Sequence, residues 1–306
     1  MNRQVDCGIW RFKDLLPPLP DEYKLSLNEG NTPLLKIDNI CFKCEFENPT
    51  GSIKDRGMAY QISQFYGKNI KSAVLSSSGN AAIAAARYCR LADIRLTVFV
   101  SPKINIHKLK KLQKSNCQII QTPKPISGAF RYAKMNSACN LRQSTDINAS
   151  IGYSTLAFEL AKEMPDIDGI FLPVSSGATL VGLARGFVRL KKLPAIHAVQ
   201  TEAIHPIASL FDKDFKKRKK SLADAIVAKY SPLHEEVRKL IIKSKGWGWV
   251  IADKEMKAAY RWLQKNKLVC SYEGAAVLAA LRKAKKNNFY YRNPVCVLTG
   301  SYYATT

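Results

Sequence analysis

Three short stretches of this chain combine residue types at spacings that suit chemistry on a small charged molecule. The first is NPTGSIKDRG, residues 48–57, where Lys54 follows the turn-forming Pro49, Thr50, Gly51 and Ser52 and precedes a helical pattern from Asp55. A lysine held rigidly at such a junction and partly desolvated has a lowered pKa, which favours condensation with a carbonyl. The second is SSSGN, Ser76–Asn80, between an apolar run and an alanine-rich run. Small hydroxyl residues and a glycine there leave N–H groups at a helix N-terminus to receive a carboxylate or phosphate. The third is PVSSGATLVG, residues 173–182, with Ser175, Ser176, Gly177, Ala178 and Thr179 at another strand-to-helix turn. Small residues let the backbone approach a phosphate closely. It is neither a Walker loop nor a G-x-G-x-x-G turn. Taken singly each stretch is a weak signal, because serine-rich N-caps are common and exposed lysines are the rule.

The elements that must position these turns follow from hydrophobic periodicity. Strand-like runs at Ile40–Glu45, Ser72–Ser76, Leu96–Val100, Gln118–Gln121, Gly169–Pro173 and Ala195–Gln200 alternate with helical patterns. The helices are expected at Asp55–Tyr66, Asn80–Arg90, Ile106–Lys114, Gly128–Ala138, Tyr153–Met164 and Thr179–Leu190. Strands separated by helices of this kind imply parallel βαβ units, whose ligands bind at the carboxyl ends of the strands. Residues 206–250 read as an irregular basic connection. Two helices, Lys254–Asn266 and Glu273–Lys286, and a strand, Pro294–Leu298, close the pattern. The fold class is α/β: two lobes with parallel-rich open sheets flanked by helices, and a cleft between them.

Composition excludes several classes. The 306 residues are 46% hydrophobic, enough for a buried core and too apolar for disorder. No run of about 18 apolar residues marks a membrane span, and MNRQVDCGIW lacks the apolar core of a secretory signal. A cytoplasmic location is therefore expected. The net charge of +24 is scattered, densest at Lys213–Lys220, and reads as a solvated basic loop with a polyanion-binding surface as its alternative. No zinc-finger, RNP or basic-zipper pattern accompanies it, so no nucleic-acid partner is expected. Of the eight cysteines, Cys41 and Cys44 are a lone Cys-x-x-Cys on a strand, pointing to opposite faces. Cys89, Cys139, Cys270 and Cys296 lie in apolar or helical runs, and the four histidines show no ligand spacing, so no metal site is expected.

In order and together, the motifs resemble the fold-type II pyridoxal-phosphate enzymes, and among them the threonine synthases. The likeness runs through SLNEGNTPLLKI, FENPTGSIKDRG, SSSGNAAIAAA, GYSTLAFELA, PVSSGATLVGLARGF, HAVQTEAIHPIA, YEGAAVLAALRKA and VLTGS, nearly the whole chain. It implies pyridoxal 5'-phosphate as cofactor, with Lys54 forming its Schiff base and acting as the catalytic base. It implies Asn80 at the ring oxygen, Ser175 to Thr179 around the phosphate, and Thr299, with Ser301 a second candidate, facing the pyridine nitrogen. Ser77, Ser78 and Ala81 match the turn that receives the substrate carboxylate. A hydroxyl partner leaves the ring a weaker electron sink than an aspartate would, which suits elimination and replacement at the β or γ carbon. The implied division is 1–57 plus 153–306 as the larger, phosphate-binding domain and 58–152 as the smaller, substrate-side domain. The implied partner is a small amino acid, phosphorylated if the reaction is O-phosphohomoserine plus water to threonine plus phosphate, and a homodimer is implied by resemblance alone. A serine/threonine dehydratase, a cysteine synthase-like β-replacement enzyme, and a non-catalytic polyanion-binding derivative are the other readings. Two departures bear on the choice: the phosphate loop SSGAT has few glycines, and INASIGYST lacks basic residues for a substrate phosphate.

Overall fold

The computed structural model describes residues 7–303. Along the chain run β1 (Leu34–Ile37), β2 (Ile40–Lys43), α1 (Lys54–Gly67), β3 (Ser72–Ser76), α2 (Asn80–Leu91), β4 (Arg95–Val100) and α3 (Ile106–Gln113). Then come β5 (Gln118–Gln121), α4 (Pro125–Met135), β6 (Cys139–Asn140), α5 (Ile147–Glu163), β7 (Gly169–Pro173) and α6 (Ala178–Arg189). The last are β8 (Ala195–Thr201), α7 (His234–Lys243), β9 (Gly248–Ile251), α8 (Asp253–Lys265), α9 (Tyr272–Lys286) and β10 (Pro294–Val297).

The chain forms two compact units. The first comprises residues 7–31 and 48–152 with Tyr303, and carries a parallel sheet in the order β5-β4-β3-β6. Its two central strands, β3 and β4, have apolar centres, as parallel strands covered by helices do; Val74, Val98 and Val100 are fully buried. The second unit comprises Thr32–Glu47 and Tyr153–Tyr302. Its sheet runs β1-β2-β10-β7-β8-β9, parallel except for the β1–β2 hairpin. That hairpin turns through Asp38 and Asn39, both with positive φ, the backbone of a two-residue type I′ turn.

The observed units divide the chain differently from the sequence expectation at the N-terminal side. Residues 7–31 and 48–57, the latter carrying Lys54, belong with the 58–152 segment, and of the described residues up to 57 only Thr32–Glu47 lies in the larger unit. The reason is packing: Lys54 is the first residue of α1, which is buried from Asp55 to Ser63 and packs on α2. Residues 206–250 are also more than a connection. HEEVRKLIIK forms α7, burying Val237 and Ile241, and GWVI forms the edge strand β9.

The second unit's core contains a buried histidine. His197 stacks on Phe171, receives the Trp249 indole N–H at Nδ1 (3.1 Å) and meets the Tyr291 hydroxyl at Nε2 (2.6 Å). The indole can only donate, so Nδ1 is the acceptor and the imidazole is neutral. Burial pushes its pKa down to about 3. Three helices of this unit, α6, α7 and α8, are each followed by a lysine in the left-handed region, Lys191, Lys245 and Lys267, where φ is 55°, 57° and 62°.

Candidate functional site

Lys54 sits where the sequence places a reactive lysine, at the N-terminus of α1. The preceding turn is pinned from both sides. Gly51 N donates to the Asn48 carbonyl (2.7 Å), and Asn48 Oδ1 receives the Gly30 amide (2.8 Å). The Asp55 carboxylate receives both the amide and the hydroxyl of Thr50, closing the turn onto the first helical residues. From the other side Gly152 of α5 lies so close that a Cβ there would stand 2.2 Å from the Arg56 carbonyl oxygen. Part of the Lys54 side chain stays accessible, but protein surrounds its amine, and desolvation lowers the pKa from 10.5 to about 8. At pH 7 about one lysine in ten is then neutral, against about one in three thousand for an ordinary lysine.

The turn at the carboxyl end of β3 belongs to the same unit. It brings Ser77, Ser78, Asn80 and Ala81 together at the start of α2. Ser77 N donates to the Phe99 carbonyl (3.2 Å), and Ser78 Oγ receives the Ser101 amide (2.9 Å), so β4 holds the turn. Gly79 is the N-cap residue; no side chain caps the helix, and a Cβ at Gly79 would meet nothing within 4 Å. The first amides of α2 therefore face an open approach. Asn80 Oδ1 is buried and has no partner among the described residues. A half-turn of its carboxamide presents a donor in the same place.

In the second unit the turn after β7 leads into α6. Gly177, its N-cap residue, has φ 98°, and a Cβ there would stand 2.6 Å from Val237 Cγ2. The loop is braced from outside. Ser175 Oγ accepts the amides of Val227 (3.1 Å) and Ala228 (3.3 Å), and Ser231 Oγ donates to the Ser176 carbonyl (2.6 Å). Ser175 thus has its hydroxyl oxygen engaged as support, whereas Gly177, Ala178 and Thr179 form the helix start with no side-chain cap. Beyond β10, Thr299 is half-buried; Ser301 donates its hydroxyl to the Phe46 carbonyl (3.4 Å) and bridges to Cys270. Of these two candidates the structure engages Ser301 elsewhere in its unit.

Other titratable groups are less suited to chemistry. Cys41, Cys44, Cys89, Cys270 and Cys296 are buried, and burial drives their thiols up, that of Cys44 to about 12. Among the described residues no cluster of His, Cys, Asp and Glu has the makings of a metal site, and no helix is long and apolar enough to cross a membrane.

The first unit thus carries a desolvated amine, an uncapped helix start and an orphaned carboxamide, and the second carries another uncapped helix start after a parallel strand. The chain belongs to the pyridoxal-phosphate dependent enzyme family, whose model matches residues 25–300, and its fold is that of the fold-type II members. Among individual relatives it is 24% identical to a threonine synthase of Methanocaldococcus jannaschii, covering 97% of this chain and 81% of that one. It is 26% identical to a threonine synthase of Halalkalibacterium halodurans, over 95% and 87%. A structure of maize serine racemase superposes with TM-score 0.80 at 20% identity, over 90% of this chain and 89% of that one. An O-acetylserine dependent cystathionine beta-synthase from Helicobacter pylori gives TM-score 0.73 at 23% identity, over 89% and 92%. These two share the fold. The groups present are of the kinds this cofactor needs: an amine for its aldehyde, a helix start for its phosphate, and a buried polar atom still lacking a partner.

Proposed function

We propose that the chain is a pyridoxal-phosphate-dependent lyase acting on a small amino acid, and that its reaction is that of threonine synthase, O-phosphohomoserine plus water giving threonine plus phosphate. The observation that carries the reading is Lys54: an amine brought to about pKa 8 by burial, fixed at a helix start by the Asp55–Thr50 turn. Pyridoxal phosphate, when bound, supplies a sink for the electrons released at the substrate's α carbon. The chain's own groups do the rest. Lys54 Nζ would hold the cofactor's aldehyde carbon and, as a free amine, would be the base that takes the α proton and moves a proton at the β carbon. The uncapped start of α2, with Ser77, Ser78 and Ala81, binds the substrate carboxylate. Asn80 would hydrogen-bond the ring oxygen, and the 175–179 turn would hold the phosphate ester. Thr299 would face the pyridine nitrogen with a hydroxyl, which cannot hold a proton there as a carboxylate would, and that suits departure of a group from the β or γ carbon.

A specific feature supports a second reading. From Asp146 to Thr155, the start of α5, there is no basic residue, so that stretch offers nothing to a substrate phosphate. Dehydration or β-replacement of an unphosphorylated amino acid needs no such cation. Incubating the purified protein with O-phosphohomoserine distinguishes them. Equal release of phosphate and threonine is expected; no phosphate, with ammonia formed from threonine or sulfide incorporated into an activated serine, would replace the first reading by the second.

A further inference from the structure

The turn proposed to hold the cofactor phosphate has one glycine among its five residues, and part of it is already engaged. Ser175 Oγ accepts two amides from Val227 and Ala228, and the Ser176 carbonyl accepts the Ser231 hydroxyl. The segment that makes these bonds runs straight into α7, whose first residue is His234. Leu233 and Val237 flank it and lie against Gly177 at the start of α6. One ring nitrogen of His234 hydrogen-bonds to the backbone of Ser175. The other, Nε2, is buried and has no partner among the described residues. The engaged nitrogen is therefore Nδ1, and its partner is the Ser175 carbonyl. That bond fixes the ring against the loop with its far edge unsatisfied.

Buried polar atoms left without a partner are uncommon in folded proteins, and each calls for a ligand or an ordered water. Two of them adjoin the turns assigned to the cofactor: Asn80 Oδ1 at the start of α2 and His234 Nε2 beside the start of α6. The first has a role in the reading above. The second has none, and no motif in the sequence singled it out.

We infer that His234 is a cofactor-binding residue, meeting the phosphate ester at the 175–179 turn through Nε2 and adding a polar contact that this glycine-poor loop lacks. With Nδ1–H given to the Ser175 carbonyl, Nε2 presents a lone pair. A phosphate monoester meets it with one proton shared between Nε2 and a phosphate oxygen, a charge-assisted bond. The segment Val227–Ser231 then has a purpose beyond covering the loop, since it ties down the Ser175 hydroxyl and the Ser176 carbonyl beside the ring and leads into the helix that carries it. The inference rests on the assignment of the 175–179 turn to the phosphate.

The test compares pyridoxal phosphate with pyridoxal, which keeps the aldehyde and ring and lacks the phosphate. Both are titrated into the cofactor-free protein, wild type and His234→Asn, following absorbance of the bound ring. Asparagine retains a donor near the Nδ1 position for the Ser175 carbonyl and removes the Nε2 edge. About tenfold or greater weakening for pyridoxal phosphate, with pyridoxal unchanged, is expected from loss of one charge-assisted bond. Equal weakening of both ligands, or of neither, overturns the inference. A second measurement needs no variant. In wild-type protein labelled with 15N-histidine, the His234 Nε2 resonance is expected to shift with pyridoxal phosphate and not with pyridoxal; a resonance indifferent to the phosphate overturns the inference even if the variant misfolds. The prior reading fails separately: wild type that binds pyridoxal as tightly as pyridoxal phosphate has no phosphate site at this turn at all.

Discussion

The turns after β3 and after β7 do the same structural job in different ways. Each joins a parallel strand to a 12-residue helix and each has glycine at the N-cap. Gly79 has extended φ and ψ (−140°, −156°) and open space where a side chain would stand. Gly177 has φ 98° and a valine methyl in that space, and hydroxyls brace the loop around it. An open turn tolerates ligands of varied shape arriving and leaving. A braced turn in a left-handed conformation suits one group that stays. That contrast is the one expected under the proposal that the first turn takes a substrate that turns over and the second a cofactor phosphate that stays.

The largest expected effect tests the braced turn. Gly177→Ala combines the left-handed backbone, about 1–2 kcal/mol for a residue with a Cβ, with overpacking against Val237, about 1–3 kcal/mol. A fall in unfolding free energy of ~3 kcal/mol is expected by urea titration, with weakened cofactor binding. Adding Val237→Ala should recover only the packing part, since the backbone strain remains. Full recovery would mean the turn is crowded and not strained.

Lys54→Met comes next and has the opposite sign. Below pH 8 the native, cofactor-free protein confines an ammonium that the unfolded chain exposes, and removing it should stabilise that form by ~1–3 kcal/mol, discounted for the lysine's partial exposure. The penalty is full below about pH 8 and is relieved as pH rises from there to the unfolded value of 10.5, because over that window only the unfolded chain holds the proton. The stabilisation by Lys54→Met should therefore shrink across pH 8 to 10 in paired thermal melts. A gain independent of pH would place the effect in packing. The smallest effect belongs to Gly79→Ala, expected within about 0.5 kcal/mol of wild type and neutral for cofactor affinity. A loss as large as that for Gly177→Ala would erase the distinction between the two turns.

Much of this architecture is legible in the sequence because the strands of both units are buried runs and their helices are periodic. Ser72–Ser76, Gln118–Gln121 and Gly169–Pro173 match the expected bounds, and the neighbouring helices differ by at most three residues at either end except α5, which starts at Ile147 and not at the expected Tyr153. The misses are where local signals conflict. α7 was obscured by its charged residues and by the long irregular segment before it, although Val237 and Ile241 sit one helical turn apart. β1 is four residues long and half exposed, and the Asp38–Asn39 dipeptide is its one clear sign. Lys54 and the two turns were visible because their neighbours in sequence shape them. His234 was not, since its tie to Ser175 crosses some sixty positions and has no local pattern. The seat of Lys54 against α5 was hidden for the same reason, through Gly152.

The lysines that follow α6, α7 and α8 give part of the large positive charge a quieter meaning. Lys191, Lys245 and Lys267 hold a backbone conformation that glycine adopts more easily, at the carbonyl ends of helices where a cation is favoured. Glycine there would relieve the strain in the folded chain, but it would also widen the ensemble of the denatured one, and the two effects oppose each other. Some of the +24 is therefore a way of ending helices with few glycines, fixed by the statistics of the unfolded chain as much as by any molecule the surface meets.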